Sequence, residues 1–204
     1  LRLVVGQSMG GMLAWMWGKK YAGFMDAIVP VASQAGLMSG RNWMQRRISI
    51  EAIRNDPEWN NGDYDENPSR YVLTAPFSVL MTQSVVRLQE GAPMREAADE
   101  HYWRLVDRAR KGDANDRLYQ IEASMDYDPS AELDRIRARL FAINFEDDEL
   151  NPPQLATVEP AIAKILNAKY VLVPASDRTY GHYSTMYASL WGPYLVEFLD
   201  DLTV

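Results

Sequence analysis

"LRLVVGQSMGGMLAWMWGKK", residues 1–20, sets a serine between two apolar segments of different period. Leu1–Val5 is a short, almost wholly apolar run ending at Gly6, which suits a strand buried on both faces. Met9–Lys20 has helical character, with Met12, Trp15 and Met16 on one face. Lys19 and Lys20 fall at its C-terminal end, where the helix dipole favours cations. Between the two lies Gly6-Gln7-Ser8-Met9-Gly10, which fits G-x-S-x-G in its required context of strand before and helix after. This is the pattern of a nucleophile elbow, a strained turn that lifts a serine hydroxyl clear of a sheet. Side chains at the flanking glycines are expected to collide with neighbouring backbone. The helix start would aim free N–H groups and partial positive charge at whatever Ser8 attacks. The plain alternative is a glycine-rich turn with an incidental serine, so a base and an acid must be sought downstream.

The sequence has two histidines. His101, in "REAADEHYWRLVDRARKG", reads as a surface or semi-buried helix residue. His182, in "VPASDRTYGHYSTMYASLW", follows the apolar run Tyr170–Val173 and precedes an amphipathic C-terminal helix. A histidine in a loop after a late strand suits a general base, and the order Ser, acid, His puts the acid between them. "RLFAINFEDDELNPP" supplies it: Leu140–Phe145 reads as a strand, followed by Glu146, Asp147, Asp148 and Glu149. Asp148 is assigned to orient His182 and stabilise its imidazolium form. The competing reading is a solvated acidic loop, and Asp147 is the residue that would serve if the register were off by one.

These residues carry a resemblance. The chain resembles the α/β-hydrolase superfamily, and within it the homoserine O-acetyltransferase-like branch. The likeness rests on Gly6–Met12, on "AIRNDPEWNNGDY" (Ala52–Tyr64), on Asp148-Glu149-Leu150-Asn151-Pro152-Pro153 and on Gly181-His182. The elbow and the histidine loop are superfamily signals, and the "DP-W–G-Y" segment is the more specific one. The resemblance implies an α/β fold, a mostly parallel sheet flanked by helices with a helical cap insertion. It implies Ser8 as nucleophile, Asp148 as acid, His182 as base and the Met9 amide as one oxyanion-hole donor. It also implies several strands before the elbow, with a loop giving the second oxyanion donor. None of that is in this sequence, so the chain is expected to be the C-terminal part of a longer protein. The preceding part would then be its partner, as a separate chain or as the rest of the same one.

Two positions depart from the family. The acetyltransferases carry an aspartate directly after the catalytic histidine, which helps hold the amino group of homoserine; here Tyr183 stands there. Their carboxylate-binding arginine falls near Pro76 in "RYVLTAPFSVLMTQS", with Arg70 as a displaced substitute. The first departure argues against homoserine as acyl acceptor. The expected activity is therefore Ser-His-Asp acyl transfer, with hydrolysis of a small carboxylic ester first. An acyl-CoA-dependent O-acyltransferase is the alternative, and a catalytically silent, hydrolase-like binding protein comes third.

Composition agrees with a soluble enzyme. The chain has 204 residues, 47% hydrophobic, with a formal charge of −7, enough to bury one substantial core. Acidity without a basic, aromatic-interleaved stripe argues against nucleic acid. No apolar run approaches the ~20 residues that span a bilayer. Zero cysteines exclude disulfides, thiolate zinc and a cysteine nucleophile, and suit the cytoplasm. No metal or cofactor is expected, with acyl-CoA as co-substrate only for the acyltransferase. A homodimer is the expected assembly of like chains.

Strands are expected at 1–5, 26–32, 139–145 and 169–174, and helices at 9–20, 155–167 and 184–200. Their alternation indicates a parallel α/β sheet. Residues 1–36 and 125–204 form the core in this reading, and 37–124 the cap, with helices at 41–55, 76–90 and 93–111. Its apolar residues Trp43, Met44, Trp59, Phe77 and Met81 are candidates for an acyl pocket, with Trp43, Arg70 and Tyr183 as the substrate-binding set.

Overall fold

The four apolar runs pair as parallel strands of one sheet: β1 (Leu3–Gln7), β2 (Ala27–Val31), β3 (Arg139–Phe145) and β4 (Ala168–Val173), in the order β1-β2-β3-β4. The computed structural model describes residues 1–202. Its helices are α1 (Met9–Lys20), α2 (Gly40–Arg54), α3 (Ser69–Thr74), α4 (Val79–Thr82) and α5 (Val85–Gly91). They continue with α6 (Arg95–Arg110), α7 (Ala114–Glu122), α8 (Val158–Ile162) and α9 (Ala188–Asp200). Parallel pairing needs crossovers rather than hairpins, and helices provide them here. β2 is buried along its whole length and β3 along all but its first residue, the burial that their continuous apolar runs foretell. β1 ends the strand order and is only half-buried.

The register sets the strand ends level. Gln7 pairs with Val31, Val31 with Ile143, and Ile143 with Val171. The segments following all four strands therefore emerge along one edge, where open α/β sheets gather their reactive groups. Pro30 sits inside β2 opposite Gly6. Proline has no N–H to give a ladder, and β2 pairs with β3 at Ala27, Ile28 and Val31 but not at Val29 or Pro30.

The chain divides into two compact units. One comprises Leu1–Leu37, Thr82–Ser84 and the chain from Tyr127 on. Its core includes Val29, Val31, Phe141, Ile143, Phe145 and Val173 of the sheet with Trp191 and Phe198 of α9. Phe141 and Phe198 stack with centroids 5.1 Å apart. On α1, Gly11, Ala14, Trp15 and Gly18 are buried, an i, i+3, i+4, i+7 stripe that defines its inward face. Residues 82–84 join this unit because the Ser84 N–H donates to the Tyr180 carbonyl at 3.2 Å. That bond, made off the helix axis, marks where the expected helix 76–90 breaks between α4 and α5.

The expected helix 155–167 shrinks to Val158–Ile162. Pro153–Leu155 forms a 3-10 turn, Ala156 takes a left-handed φ of 47°, and the amides of Lys164 and Ile165 bond only three residues back. The C-terminal helix begins at Ala188 rather than 184, after a 3-10 turn over Tyr183–Met186. Among the described residues no helix is long and apolar enough to cross a membrane.

The other unit, Met38–Met81 with Val85–Asp126, is helical. Ile50, Ile53, Val72, Val106, Leu118 and Ile121 lie in its core. The "DP-W–G-Y" segment is a structural knot within it. Asp56 accepts from the amides of Glu58 (3.0 Å) and Arg70 (2.8 Å). Trp59 Nε1 donates to Asn115 Oδ1 at 2.7 Å, Asn115 Nδ2 donates to the Gly62 carbonyl at 2.9 Å, and the Asn115 amide donates to the Tyr64 hydroxyl at 3.1 Å. Asn67 ties the same loop to the α6–α7 turn, donating to the Gly112 carbonyl and accepting from the Ala114 amide. Asn115→Ala leaves an indole N–H and a carbonyl unmatched, and each unmade bond costs about 1–3 kcal/mol. The variant is expected to lose about 2 kcal/mol in a urea unfolding titration, with no change in the contacts around Ser8.

Candidate active site

Ser8 ends β1 and begins α1 at once. Its amide donates to the Val31 carbonyl at 2.9 Å, and its carbonyl accepts from Met12 N at 3.0 Å. Its backbone has φ 54° and ψ −119°, a region that costs a non-glycine residue roughly 1–3 kcal/mol. This is the strained elbow that the motif implies. A Cβ at Gly6 would lie 1.9 Å from the Gly10 carbonyl oxygen, so Gly6 must be glycine. The expectation for the second flanking glycine is corrected: a Cβ at Gly10 meets no described atom within 4 Å. The close approach falls one residue later. A Cβ at Gly11 would sit 2.6 Å from Ser33 Oγ. Ser33 is fixed in turn, its hydroxyl accepting from Trp15 Nε1 at 3.2 Å and its amide donating to Asn144 Oδ1 at 3.2 Å. The elbow thus packs against the end of β2 through side chains from α1 and β3.

The structure brings Ser8, His182 and Asp148 into one line of hydrogen bonds. His182 Nε2 lies 2.7 Å from Ser8 Oγ, and Nδ1 lies 2.8 Å from Asp148 Oδ2. His182 and Asp148 are buried, the carboxylate at 1% exposure. An ionised carboxylate can only accept, so Nδ1 carries the proton and Nε2 is left to accept from the serine hydroxyl. The carboxylate has further donors. Oδ1 accepts from the amides of Leu150 (2.9 Å) and Asn151 (3.2 Å), and Oδ2 accepts from Asn151 Nδ2 (3.0 Å).

Its neighbours in the acidic cluster hold the histidine loop. Asp147 Oδ2 accepts from Thr179 Oγ1 at 2.9 Å and from the Gly181 amide at 3.0 Å. Glu146 accepts from the Ala175 amide at 2.9 Å. Gly181, with φ 63°, is pinned on its other side, where an added Cβ would lie 2.7 Å from Ser84 N. The cluster is therefore no loose solvated loop: three successive carboxylates bind Ala175, Thr179, Gly181 and His182. Nearby, burial, helped by the charge of Asp128, pushes the Tyr127 phenol well above its usual range. It remains a donor, to the Gln34 carbonyl at 2.5 Å.

The remaining sequence candidates lie as follows. Met9 is the first residue of α1, where helix amides lack an internal partner. Tyr183 follows His182 in the 3-10 turn and is partly exposed. Trp43, in α2, and Arg70 belong to the helical unit. Arg70 is engaged there, its guanidinium donating to the Asn55 carbonyl at 2.6 Å. Met44 and Phe77 are exposed, Met81 is buried and Trp59 is committed to Asn115. His101, on α6, contacts Arg104 through Nδ1 at 3.1 Å and takes no part in the relay. The bond from Asn151 to Asp148, the anchoring of the loop by Asp147 and the Trp15–Ser33 contact are not predicted by the sequence. The spacing Asp148–Asn151 was the one available signal, since an aspartate commonly accepts from amides two and three residues on.

Comparison with known proteins adds the family. The chain is 31% identical to homoserine O-acetyltransferase of Rhodospirillum rubrum over 193 residues, covering 80% of this chain and 48% of that protein. Its fold superposes on homoserine O-acetyltransferase from Bacillus anthracis with a TM-score of 0.86 at 20% identity, over 98% of this chain and 60% of that one. The chain has an α/β-hydrolase fold of the homoserine O-acetyltransferase-like branch. Another solved α/β-hydrolase-fold neighbour, the acetyl esterase MekB, superposes with a TM-score of 0.77 at 22% identity, over 99% of this chain and 62% of that one. No family model matches the sequence. This α/β-hydrolase chain spans about half to three-fifths of the length of the curated relatives it matches.

Proposed function

We propose that this α/β-hydrolase acts in acyl transfer through Ser8, His182 and Asp148, with hydrolysis of a small carboxylic ester as its reaction. The observation that carries the reading is the relay of 2.7 and 2.8 Å from a strained serine through a histidine to a buried carboxylate. In the first step Ser8 Oγ bonds to the ester carbonyl carbon while His182 Nε2 takes its proton. The Met9 amide and the α1 dipole stabilise the negative oxygen that develops. Collapse breaks the ester C–O bond, and the leaving alcohol takes the proton back from Nε2. Water then attacks the acyl-enzyme with the same histidine as base, and the carboxylic acid leaves. No metal or redox cofactor is assigned a part in these steps.

The acceptor side favours an uncharged group. An α-amino acid brings an ammonium and a carboxylate, and leaving either unpaired out of water costs a few kcal/mol. At the sequence positions where the acetyltransferases carry their charged substrate-binding residues, this chain has Tyr183, with a hydroxyl and a ring but no formal charge, and Pro76, with no polar side chain. Arg70 is bonded to Asn55 within its own unit. The second reading, O-acyl transfer from an acyl-CoA, is favoured by the names of the sequence relatives. Assays on the intact protein separate the two: hydrolysis of short-chain p-nitrophenyl and alkyl esters against acetyl transfer from acetyl-CoA to homoserine. Ester hydrolysis is expected to saturate and to exceed homoserine acetylation by at least tenfold in kcat/KM. Saturable acetylation with negligible hydrolysis would overturn the reading, and inactivity towards both would favour a binding protein.

A further inference from the structure

The carboxylate of Asp148 shares one oxygen between two donors, and the second donor has no place in the relay. Asn151 Nδ2 lies 3.0 Å from Asp148 Oδ2, the same atom that faces His182 Nδ1. Its other hydrogen goes to the Ala32 carbonyl, also at 3.0 Å. Asn151 is 7% exposed and Asp148 1%, so neither bond competes with bulk water. Ala32 follows β2 with a left-handed φ of 49°, and its amide donates to Ile143 O at 2.8 Å. That turn leaves its carbonyl to be matched from outside the sheet ladder, and the Asn151 amide matches it. One primary amide thus joins the end of β2 to the carboxylate that carries the histidine.

We propose that Asn151 is a positioning residue that fixes the rotation of the Asp148 carboxylate and holds Oδ2 on His182 Nδ1 throughout the reaction. The inference rests on the acyl-transfer reading of the relay. A carboxylate turns readily about its terminal torsion, which has only broad minima. The amides of Leu150 and Asn151 secure Oδ1 but leave Oδ2 with a single side-chain donor besides the histidine. When His182 gains its second proton, the pull on Oδ2 rises. A carboxylate already held by fixed donors meets that charge without rearranging, which is the source of electrostatic preorganisation. Asn151 touches neither the serine nor the acyl group in this scheme. Its Nδ2 also lies 3.5 Å from His182 Nδ1, but both atoms are donors once Nδ1 carries the proton, so the hydrogen bond through which it acts is the one to Asp148.

A double-mutant cycle in the intact protein tests this. Asn151→Ala and Asn151→Leu are each made alone and with Asp148→Asn, and kcat and KM are measured for p-nitrophenyl acetate per folded molecule, with unfolding followed by circular dichroism. Alone, each is expected to lower kcat about 10–100-fold, the range for one charge-assisted hydrogen bond, with KM changed less than twofold. In the Asp148→Asn background the same changes are expected to alter kcat by less than threefold, because their target has gone. Equal losses in both backgrounds, or a loss seen in KM rather than kcat, would make Asn151 merely structural. No loss in the parent would also overturn the proposal. Ser8→Ala run alongside separates the two levels: full turnover without Ser8 sinks the acyl-transfer reading itself, whereas lost turnover with inert Asn151 variants sinks only the role of Asn151.

Discussion

Ser8→Ala, His182→Ala and the double variant are each expected to lower kcat for ester hydrolysis by several orders of magnitude, and to nearly the same level. The shared floor follows from geometry. Ser8 Oγ is a weak nucleophile until Nε2, 2.7 Å away, removes its proton, and Nε2 is idle without the hydroxyl. Groups that act as one unit lose their whole contribution when either is removed, so the second substitution adds little. The residual rate is left to binding and to the donors at the start of α1. Folding should survive Ser8→Ala, because alanine removes a polar group without enlarging a residue held at φ 54°. Additive losses would mean that the two side chains act in separate steps.

The second large effect is expected at the acid. Asp148→Asn should retain the fold and lower kcat on the order of 10⁴-fold, as loss of the orienting carboxylate does in Ser-His-Asp enzymes. The reason is visible in the donor count. Leu150 N, Asn151 N, Asn151 Nδ2 and His182 Nδ1 all converge on this side chain. A carboxamide oxygen turned towards the two backbone amides leaves its NH₂ group facing Nδ1. The histidine must then accept there and carry its proton on Nε2, the tautomer that cannot deprotonate Ser8. Asp147→Asn is expected to cost less than tenfold, because its remaining oxygen can still serve Thr179 or Gly181. A reversed ranking would show that Asp147 carries the histidine in the working enzyme.

The parts of this molecule that were legible in the sequence are those where one local rule dominates. Buried parallel strands need unbroken apolar runs, so β3 falls at residues 139–145 as read, and β2 and β4 within a residue of their expected ends. The elbow is legible because Ser8 needs a strand, a helix and small neighbours together. Asp148 is legible as the candidate acid because β3 ends at Phe145 and only a few carboxylates follow. What was not legible depends on residues distant in sequence. Helix 76–90 breaks because Ser84 bonds Tyr180, nearly a hundred positions on. Gly11, rather than Gly10, must stay small because Ser33 arrives from the end of β2. Asn151 acquires its place only when Ala32 and Asp148 are brought to the same edge of the sheet. The "DP-W–G-Y" segment was legible as a family mark but not as a knot, since its partners Asp113 and Asn115 stand some fifty residues on, at the start of α7.

The account stands on Ser8 being the activated nucleophile, and covalent capture measures that most directly. The intact protein is treated with a fluorophosphonate, digested and mapped by mass spectrometry, beside Ser8→Ala and Asp148→Asn. A single adduct is expected on the peptide containing Gln7-Ser8-Met9, absent from Ser8→Ala and formed far more slowly in Asp148→Asn. Labelling that survives Ser8→Ala, or an adduct on another serine, would contradict the account.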